Sequence, residues 1–283
     1  MVLFARHPDD YAERVREAVR RISPDGLLRA IRDPESPDST HIIITILPSP
    51  ASRHSFEVDF ASRRVFEMIW EKHIHSRIDD MAYLYDLFSA SKTSAAVAGW
   101  IFELRMHQLL RSRRTVQLFP ILNSGKGPVS LTYNNHVASL HQNDLKTLEL
   151  LPSAEYPLTE TTKVEKDCYY HPVAEKFPTI DSLLLVHPPG EPLPILLMFQ
   201  ITRSGEHDVK IEGLRKVDNL HFSTPIKKYY VVVTPESIRP QITVPNEYFE
   251  KDKGLSVDAG ESADEEFSVF HYPVRPDGLF RKP

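Results

Sequence analysis

TIDSLLLVHPPGEPLPILLMFQIT, residues 179–202, contains two apolar runs separated by a proline-rich turn. Turn residues bound the two runs, so they are predicted to be the strands of a hairpin. The second run is apolar nearly throughout, which is typical of a central strand that is covered on both faces. The segment therefore predicts a hairpin inside a larger sheet.

Elements on both sides of this hairpin predict an α/β fold with a mixed central sheet flanked by helices. Downstream, residues 207–221 have apolar side chains at helical spacing, and KKYYVVVTP (227–235) is predicted to be another central strand. Upstream, a helix begins near residue 94. Short, turn-bounded strands are predicted after that helix, at 115–122, 128–133 and 138–142. The segment 267–274 is predicted to return as an edge strand.

The chain is predicted to divide near residue 92. Residues 1–91 form a small α-rich N-terminal module, residues 92–250 form the α/β core, and residues 251–283 form a proline-containing tail with an acidic segment. In the first module, helices are predicted at 9–22, 24–32, 62–78 and 80–90, with one strand at 41–47.

The composition, 41% hydrophobic and 26% charged residues, is that of a globular protein with an apolar core. No apolar run reaches the roughly 18 residues of a membrane span, and acidic residues interrupt the start before a signal peptide could form. The single cysteine, Cys168, excludes an internal disulfide framework. We therefore expect an intracellular protein without a membrane segment. Its net charge of −5 provides no overall attraction to nucleic acid.

The sequence also lacks the motifs of several common sites. No GxxxxGK[ST] motif is present, since Gly125-Lys126-Gly127 is followed by proline, so no nucleotide-binding P-loop is expected. Neither GxSxG nor HExxH occurs, which excludes a hydrolase nucleophile elbow and a zinc-protease helix. The remaining candidates are polar residues inside apolar elements.

Four such residues form the candidate site. Glu103 lies in the apolar helix AVAGWIFELRMHQLL, Asp181 and Gln200 lie in the two hairpin strands, and Lys210 lies at the start of the next helix. Two carboxylates and an amide provide the oxygen ligands that Mg²⁺ prefers, and a lysine can orient water or offset phosphate charge. The residues therefore predict phosphodiester hydrolysis, with Mg²⁺ held by Glu103 and Asp181.

The hairpin supplies a geometric expectation for this site. Asp181 lies about seven residues before Pro188, and Gln200 lies about eight residues after Pro192, which are the two ends of the turn. These nearly matched offsets are expected to place the two polar side chains opposite each other.

Each candidate also has a simpler interpretation. Glu103 could lie on a solvent-exposed helix face, and Asp181 could cap a turn after Pro178. Gln200 could only satisfy buried backbone groups, since buried amides must find partners. Lys210 could be an ordinary surface lysine.

At these residues the sequence resembles the Crinkler and retrotransposon-hot-spot proteins. The similar segments, in order, are AGWIFELRMHQLL, YYHPVAEKFPTIDSLLL, LLMFQITRSGEHDVKIEGLRKVDNL and KKYYVVVTP. Those proteins carry a restriction-endonuclease-like domain of the PD-(D/E)XK superfamily after an NTPase module. The resemblance covers roughly residues 60–235. It implies a restriction-endonuclease-like core in residues 92–250, DNA as substrate and a nuclear location, while residues 1–91 resemble the end of the NTPase region.

The resemblance also implies roles for the candidate residues. Glu103 matches the helix glutamate that completes the metal site, and Asp181 matches the strand aspartate that binds the metal directly. Gln200 stands in place of the acidic member of the D/E-x-K signature, and Thr202 stands where its lysine would be. Lys210 would supply the missing amine from the following helix.

The resemblance also implies that Thr202, Arg203 and His207 would contact nucleic acid, with His207 close to phosphate.

The resemblance leaves two functions open. The neutral Gln200 and the missing in-line lysine weaken the metal site, so the alternative is a catalytically inactive nuclease fold that binds nucleic acid or a protein partner.

Overall fold

The computed structural model describes residues 8–33, 42–48, 56–74, 78–90, 94–111, 114–121, 128–133, 164, 166, 168–171, 178–245, 248 and 267–280. The chain forms two compact units, Met1–Phe102 with Phe280–Pro283, and Glu103–Leu279. The predicted strand at 138–142 and the acidic segment at 252–266 lie outside the described residues. The predicted division near residue 92 stays a prediction.

The first unit is rich in helices, as the sequence predicts, and also contains a β-hairpin. Its elements are α1 (Pro8–Arg21), α2 (Pro24–Arg32), β1 (Ile44–Pro48), β2 (Phe56–Phe60), α3 (Arg63–Ile69), a π-helical segment (Trp70–Ile74) and α4 (Ile78–Ala90). Ser23 caps α2, because its Oγ accepts a hydrogen bond from the Gly26 N–H at 3.0 Å. Strand β2, which the sequence pattern does not predict, pairs antiparallel with β1.

The second unit is built on a seven-stranded mixed sheet of order β4-β3-β11-β9-β7-β6-β5. Helix α5 (Ala95–Arg111) contains the boundary between the units and leads into this sheet. The further elements are β3 (Arg114–Pro120), β4 (Val129–Tyr133), β5 (Tyr169–Tyr170), β6 (Ser182–Val186), β7 (Ile195–Ile201), β8 (Glu206–Asp208), α6 (Ile211–Asp218), β9 (Lys227–Pro235), β10 (Gln241–Thr243), β11 (Phe267–Val274) and α7 (Pro276–Leu279).

The hairpin predicted within residues 179–202 lies inside this sheet. Strands β6 and β7 pair antiparallel, and β7 then pairs parallel with β9. Every residue of β7 is buried, which confirms a central strand covered on both faces. The connection from β7 to β9 runs through α6, as parallel neighbours require.

The sheet has two faces that matter for the site. Met198 and Val232 share one apolar cluster with Leu214 and Val217 of α6. We call this side, which also carries Gln200 because side chains two residues apart share a face, the Gln200 face. The other side carries Ser182, Leu184 and Phe199 and is called the Ser182 face.

Two sequence predictions are corrected in this unit. The segment 267–274 is a strand, but it pairs with β9 on one side and β3 on the other, so it is not at an edge. The helix predicted over 207–221 is shorter, because Glu206–Asp208 forms β8 and pairs with β10. A local apolar period cannot reveal either long-range pairing.

Candidate functional site

Asp181 and Gln200 are in direct contact at one end of the β6–β7 hairpin. The register pairs Ser182 with Phe199, which places Asp181 opposite Gln200. Gln200 Nε2 donates a hydrogen bond to Asp181 Oδ2 at 2.9 Å. The backbone N–H of Ile201 donates to the same oxygen at 2.7 Å. The predicted opposition of the two side chains is therefore confirmed.

The segment before Asp181 is held by backbone contacts. Thr179 has a positive φ of 66°, a turn conformation, and its carbonyl oxygen accepts a hydrogen bond from the Tyr230 hydroxyl at 2.8 Å. Burial raises the pKa of Tyr230 well above its usual value, and the negative charge of Asp181 raises this pKa further. Tyr230 therefore stays a protonated donor, and the turn delivers Asp181 to the hairpin end.

Helix α6 closes on the same turn. A Cβ atom at Gly213 would collide with the carbonyl oxygen of Pro178. The absence of a side chain at Gly213 therefore allows the helix to approach the backbone that precedes Asp181.

The amide oxygen of Gln200, Oε1, is an exception to the rule that buried polar atoms are hydrogen-bonded. The residue is only 8% exposed, and its Oε1 has no hydrogen-bond partner among the residues that the structure describes. A buried acceptor without a partner costs free energy, about 1–3 kcal/mol in typical cases. The simpler interpretation, an amide that only satisfies backbone groups, does not describe this side chain, because its N–H group bonds the Asp181 carboxylate.

Glu103 belongs to a second polar set. Its side chain is 15% exposed and lies 3.9 Å from His107 Nε2, so it does not occupy an exposed helix face. The Nδ1 atom of His107 lies 2.7 Å from the Tyr169 hydroxyl, which donates to Ser182 Oγ at 2.7 Å. We call these four residues the Glu103 row.

The two polar sets are connected to opposite faces of the sheet. The Glu103 row ends at Ser182, which is paired with Phe199 and defines the Ser182 face. Gln200 is the next residue after Phe199, so its side chain is on the other face. The structure thus joins Asp181 with Gln200, whereas the convergence of Glu103 on this pair stays a prediction.

The remaining candidates follow β7 along the chain. Thr202 is half-buried, and its hydroxyl accepts a hydrogen bond from the Ser204 N–H at 3.0 Å, so it is used within a turn. Arg203 is also half-buried and lies within the same turn. The roles of Thr202 and Arg203 in binding nucleic acid stay predictions.

His207 and Lys210 both precede α6, which begins at Ile211. Lys210 is the exposed N-cap residue of the helix, which confirms its predicted position at a helix start. Burial lowers the pKa of His207 below its ordinary 6.5 and Lys210 lowers it further, while Asp208 acts in the opposite direction. His207 is therefore neutral at neutral pH.

Sequence reasoning missed several polar residues around these sets. Tyr230 lies in the predicted buried strand KKYYVVVTP. The only signal of its contact in the sequence is that a buried tyrosine hydroxyl needs a hydrogen-bond partner. His107 lies four residues after Glu103, a helical spacing that places both on one helix face and could have revealed their contact. Thr234 and His271 come from separate strands, and no local pattern predicts that they meet.

The described residues show neither a cluster of metal ligands nor a membrane-spanning helix. Across the described ranges, no group of three or more His, Cys, Asp or Glu side chains is arranged to hold a metal ion. A site built from Asp181 and the Gln200 amide would contain a single carboxylate, so it is not a group of that kind. None of the helices within the described ranges is both long and apolar enough to cross a membrane.

Comparison with known proteins identifies no relative. No family model, no curated protein and no solved structure matches the chain. The protein is therefore placed by its architecture, a mixed α/β fold whose multi-stranded sheet is flanked by helices.

Proposed function

We propose that this chain is a metal-dependent DNA nuclease with a restriction-endonuclease-like core, of the type that the resemblance to Crinkler and retrotransposon-hot-spot proteins implies. The observation that carries the proposal is the contact between Asp181 and Gln200, with the buried Gln200 Oε1 that has no partner in the described part of the chain. A carboxylate beside an open amide oxygen fits a hard divalent cation such as Mg²⁺.

Each residue of the proposed site would have a separate role in binding the metal or the phosphate. Asp181 and Gln200 would hold Mg²⁺. The resemblance adds Glu103 as a further ligand, but the Glu103 row ends at Ser182 on the opposite face of the sheet, so this proposal assigns Glu103 no metal contact. When bound, Mg²⁺ lowers the pKa of a coordinated water and offsets charge on the phosphate. Lys210, exposed at the start of α6, would neutralise phosphate charge.

The contacts of Asp181 make it the residue to change first. Ile201 N–H and Gln200 Nε2 both donate to Oδ2. In Asp181→Asn the negative charge is lost while an oxygen remains to accept a hydrogen bond. Asp181→Ala removes the side chain's acceptors altogether, so a loss of activity in Asp181→Asn, which keeps one acceptor, is attributed to the lost charge rather than to lost hydrogen bonds.

The experiment is incubation of supercoiled plasmid DNA with the full chain and Mg²⁺ or Mn²⁺. We expect nicking that needs the divalent ion, that is lost in both Asp181 variants and that is retained in Glu212→Gln, a matched change of an exposed carboxylate on α6. Nicking that survives EDTA, or that equals wild type in both Asp181 variants, would contradict the proposal.

A second candidate is a catalytically inactive nuclease fold that binds DNA. It is favoured by the use of Asp181 Oδ2 as acceptor for two N–H groups and by the Thr202 hydroxyl, which is bonded within a turn where the superfamily signature has a lysine. The same plasmid assay with a gel-shift measurement separates the candidates: DNA binding without nicking supports this one. For either candidate we propose an intracellular, nuclear location, which fluorescence imaging of the tagged full chain tests.

A further inference from the structure

A second buried oxygen without a partner lies close to Asp181 in the chain. Within the described residues, three side-chain oxygens are buried without a hydrogen-bond partner: Ser89 Oγ, Thr179 Oγ1 and Gln200 Oε1. Ser89 belongs to the first unit. Thr179 precedes Asp181 by two residues, and Gln200 donates a hydrogen bond to Asp181. Because buried polar atoms are nearly always hydrogen-bonded, two exceptions that flank one carboxylate indicate a place for a ligand.

The backbone of Thr179 has a conformation that threonine seldom adopts. Its φ of 66° lies in the left-handed region, where β-branched side chains are strained, and no other non-glycine residue in the described ranges has a positive φ. The hydrogen bond from the Tyr230 hydroxyl to the Thr179 carbonyl holds this turn. Backbone strain of this kind is concentrated at ligand sites. Glycine would adopt the turn without strain, so the strain indicates a use for the threonine side chain.

Helix α6 and strand β9 place this turn on the Gln200 face. A Cβ atom added to Gly213 of α6 would lie 3.3 Å from Thr179 Oγ1, so the hydroxyl borders the helix. Tyr230, which holds the turn, pairs with Met198, and Met198 is two residues before Gln200. Paired residues share a face, and so do residues two apart in a strand. The Thr179 turn and the Gln200 side chain therefore lie on the same side of the sheet.

We propose that Thr179 Oγ1 is a further oxygen ligand of the divalent cation at Asp181 and Gln200. This inference rests on the metal site of the proposed function. A hydroxyl oxygen can coordinate Mg²⁺, as the serine or threonine of phosphate-binding loops does. Thr179 and Gln200 are neutral, so the negative charge of the three ligands comes from Asp181 alone. The occupied site then keeps a net positive charge, which attracts a phosphodiester, and phosphate oxygens and water complete the coordination shell.

The test is thermal unfolding of the full chain over a series of Mg²⁺ concentrations, without DNA. Thr179→Val keeps the shape of the side chain and removes the hydroxyl. We expect the Mg²⁺ concentration at the midpoint of the Tm shift to rise about threefold to tenfold. Because this hydroxyl has no partner among the described residues, the Tm without metal should not fall. Thr179→Ser keeps a hydroxyl, and its midpoint should stay within about twofold of wild type.

Two controls connect the Tm shift to this site. Asp181→Asn removes the charged ligand and should abolish the shift. Thr224→Val removes the hydroxyl of an exposed threonine before β9, and it should keep the wild-type midpoint.

Three outcomes would overturn Thr179 as a ligand while wild type responds to Mg²⁺. The first is a midpoint for Thr179→Val equal to that of Thr224→Val. The second is a lower Tm of Thr179→Val without metal, which indicates a hydrogen bond of the hydroxyl within the protein. The third is an equal rise of the midpoint in Thr179→Ser and Thr179→Val. If wild type shows no Tm shift with Mg²⁺, or if Asp181→Asn keeps the full shift, the proposed metal site itself is wrong.

Discussion

The two polar sets of the second unit differ in what holds them. The Asp181–Gln200 pair is tied to backbone, through the Ile201 N–H and the Tyr230-bonded turn, and it leaves an amide oxygen open. The Glu103 row is a series of side chain contacts that ends at the fully buried Ser182. A pair that backbone groups hold in place, and that has one acceptor without a partner, is suited to bind a ligand. A buried series of hydrogen-bonded side chains is instead suited to hold α5 on the sheet.

The largest expected effect comes from the helix that closes on the pair. In Gly213→Ala the new Cβ would meet the Pro178 carbonyl, which is backbone and cannot swing away. We expect a loss of about 3 kcal/mol in the free energy of unfolding, measured by urea denaturation.

Gly99→Ala is the matched control for that change. Gly99 also lies in a helix, α5, but nothing stands within 4 Å of its added Cβ. Replacing a helical glycine by alanine in open space should stabilise the protein by about 0.5–1 kcal/mol. Equal effects of the two substitutions would show that α6 does not press on the turn before Asp181.

The second prediction compares the two sets by their response to Mg²⁺. Gln200→Glu places a second carboxylate beside Asp181 and removes the Nε2 donor, so we expect a loss of about 2 kcal/mol without metal. Added Mg²⁺ should restore stability and raise Tm by more than it does in wild type. The measurement is thermal unfolding with and without Mg²⁺.

Glu103→Gln gives the counterpart on the other face. If the two sets act separately, Mg²⁺ should shift its Tm as much as it shifts that of wild type. Loss of the Mg²⁺ response in Glu103→Gln would show that Glu103 joins the pair, and the contrast between the faces would then be wrong.

The third prediction compares two tyrosine hydroxyls. Tyr169→Phe leaves the buried Ser182 and His107 without their shared partner, so we expect a loss of about 1–3 kcal/mol. Tyr230→Phe removes one hydrogen bond to the Thr179 carbonyl and should cost about 1 kcal/mol. Urea denaturation measures both, and a larger cost for Tyr230→Phe would reverse the ranking of the two sets.

The hairpin and its polar pair could be predicted from sequence because both depend on local information. Two apolar runs and a turn define the strands, and counting from the turn pairs Asp181 with Gln200. The position of β11 could not be predicted in this way. Its partners, β9 and β3, are separated from it by long stretches of chain, and an apolar run of that length suits an interior strand as well as an edge.

The candidate site could be predicted only in part, for the same reason. Helical spacing correctly places Glu103 in an apolar helix, but the face of the sheet that the helix contacts depends on how the chain crosses over. Side chains alternate between the two faces of the sheet along a strand. Ser182 pairs with Phe199, and Gln200 is the next residue after Phe199, so Ser182 and Gln200 lie on opposite faces. Tertiary packing, rather than local propensity, decides which polar groups meet.

The smallest expected effect is a pH dependence at His271, which lies on the Gln200 face because it pairs with Val232, the partner of Gln200. Burial and Arg239 depress the pKa of His271 below 6.5, so below that pH the unfolded chain binds more protons at this residue than the folded chain does. This contribution to stability is present above pH 6.5 and is lost as the pH falls. The imidazole is half-buried and solvent screens the arginine charge, so we expect less than about 1 kcal/mol.

Because carboxylates titrate as well, the measurement is the difference in free energy of unfolding between wild type and His271→Gln from about pH 7.5 to about pH 5. That difference should shift against wild type as the pH falls. A shift in favour of wild type would mean that an anionic group near His271 outweighs both burial and Arg239.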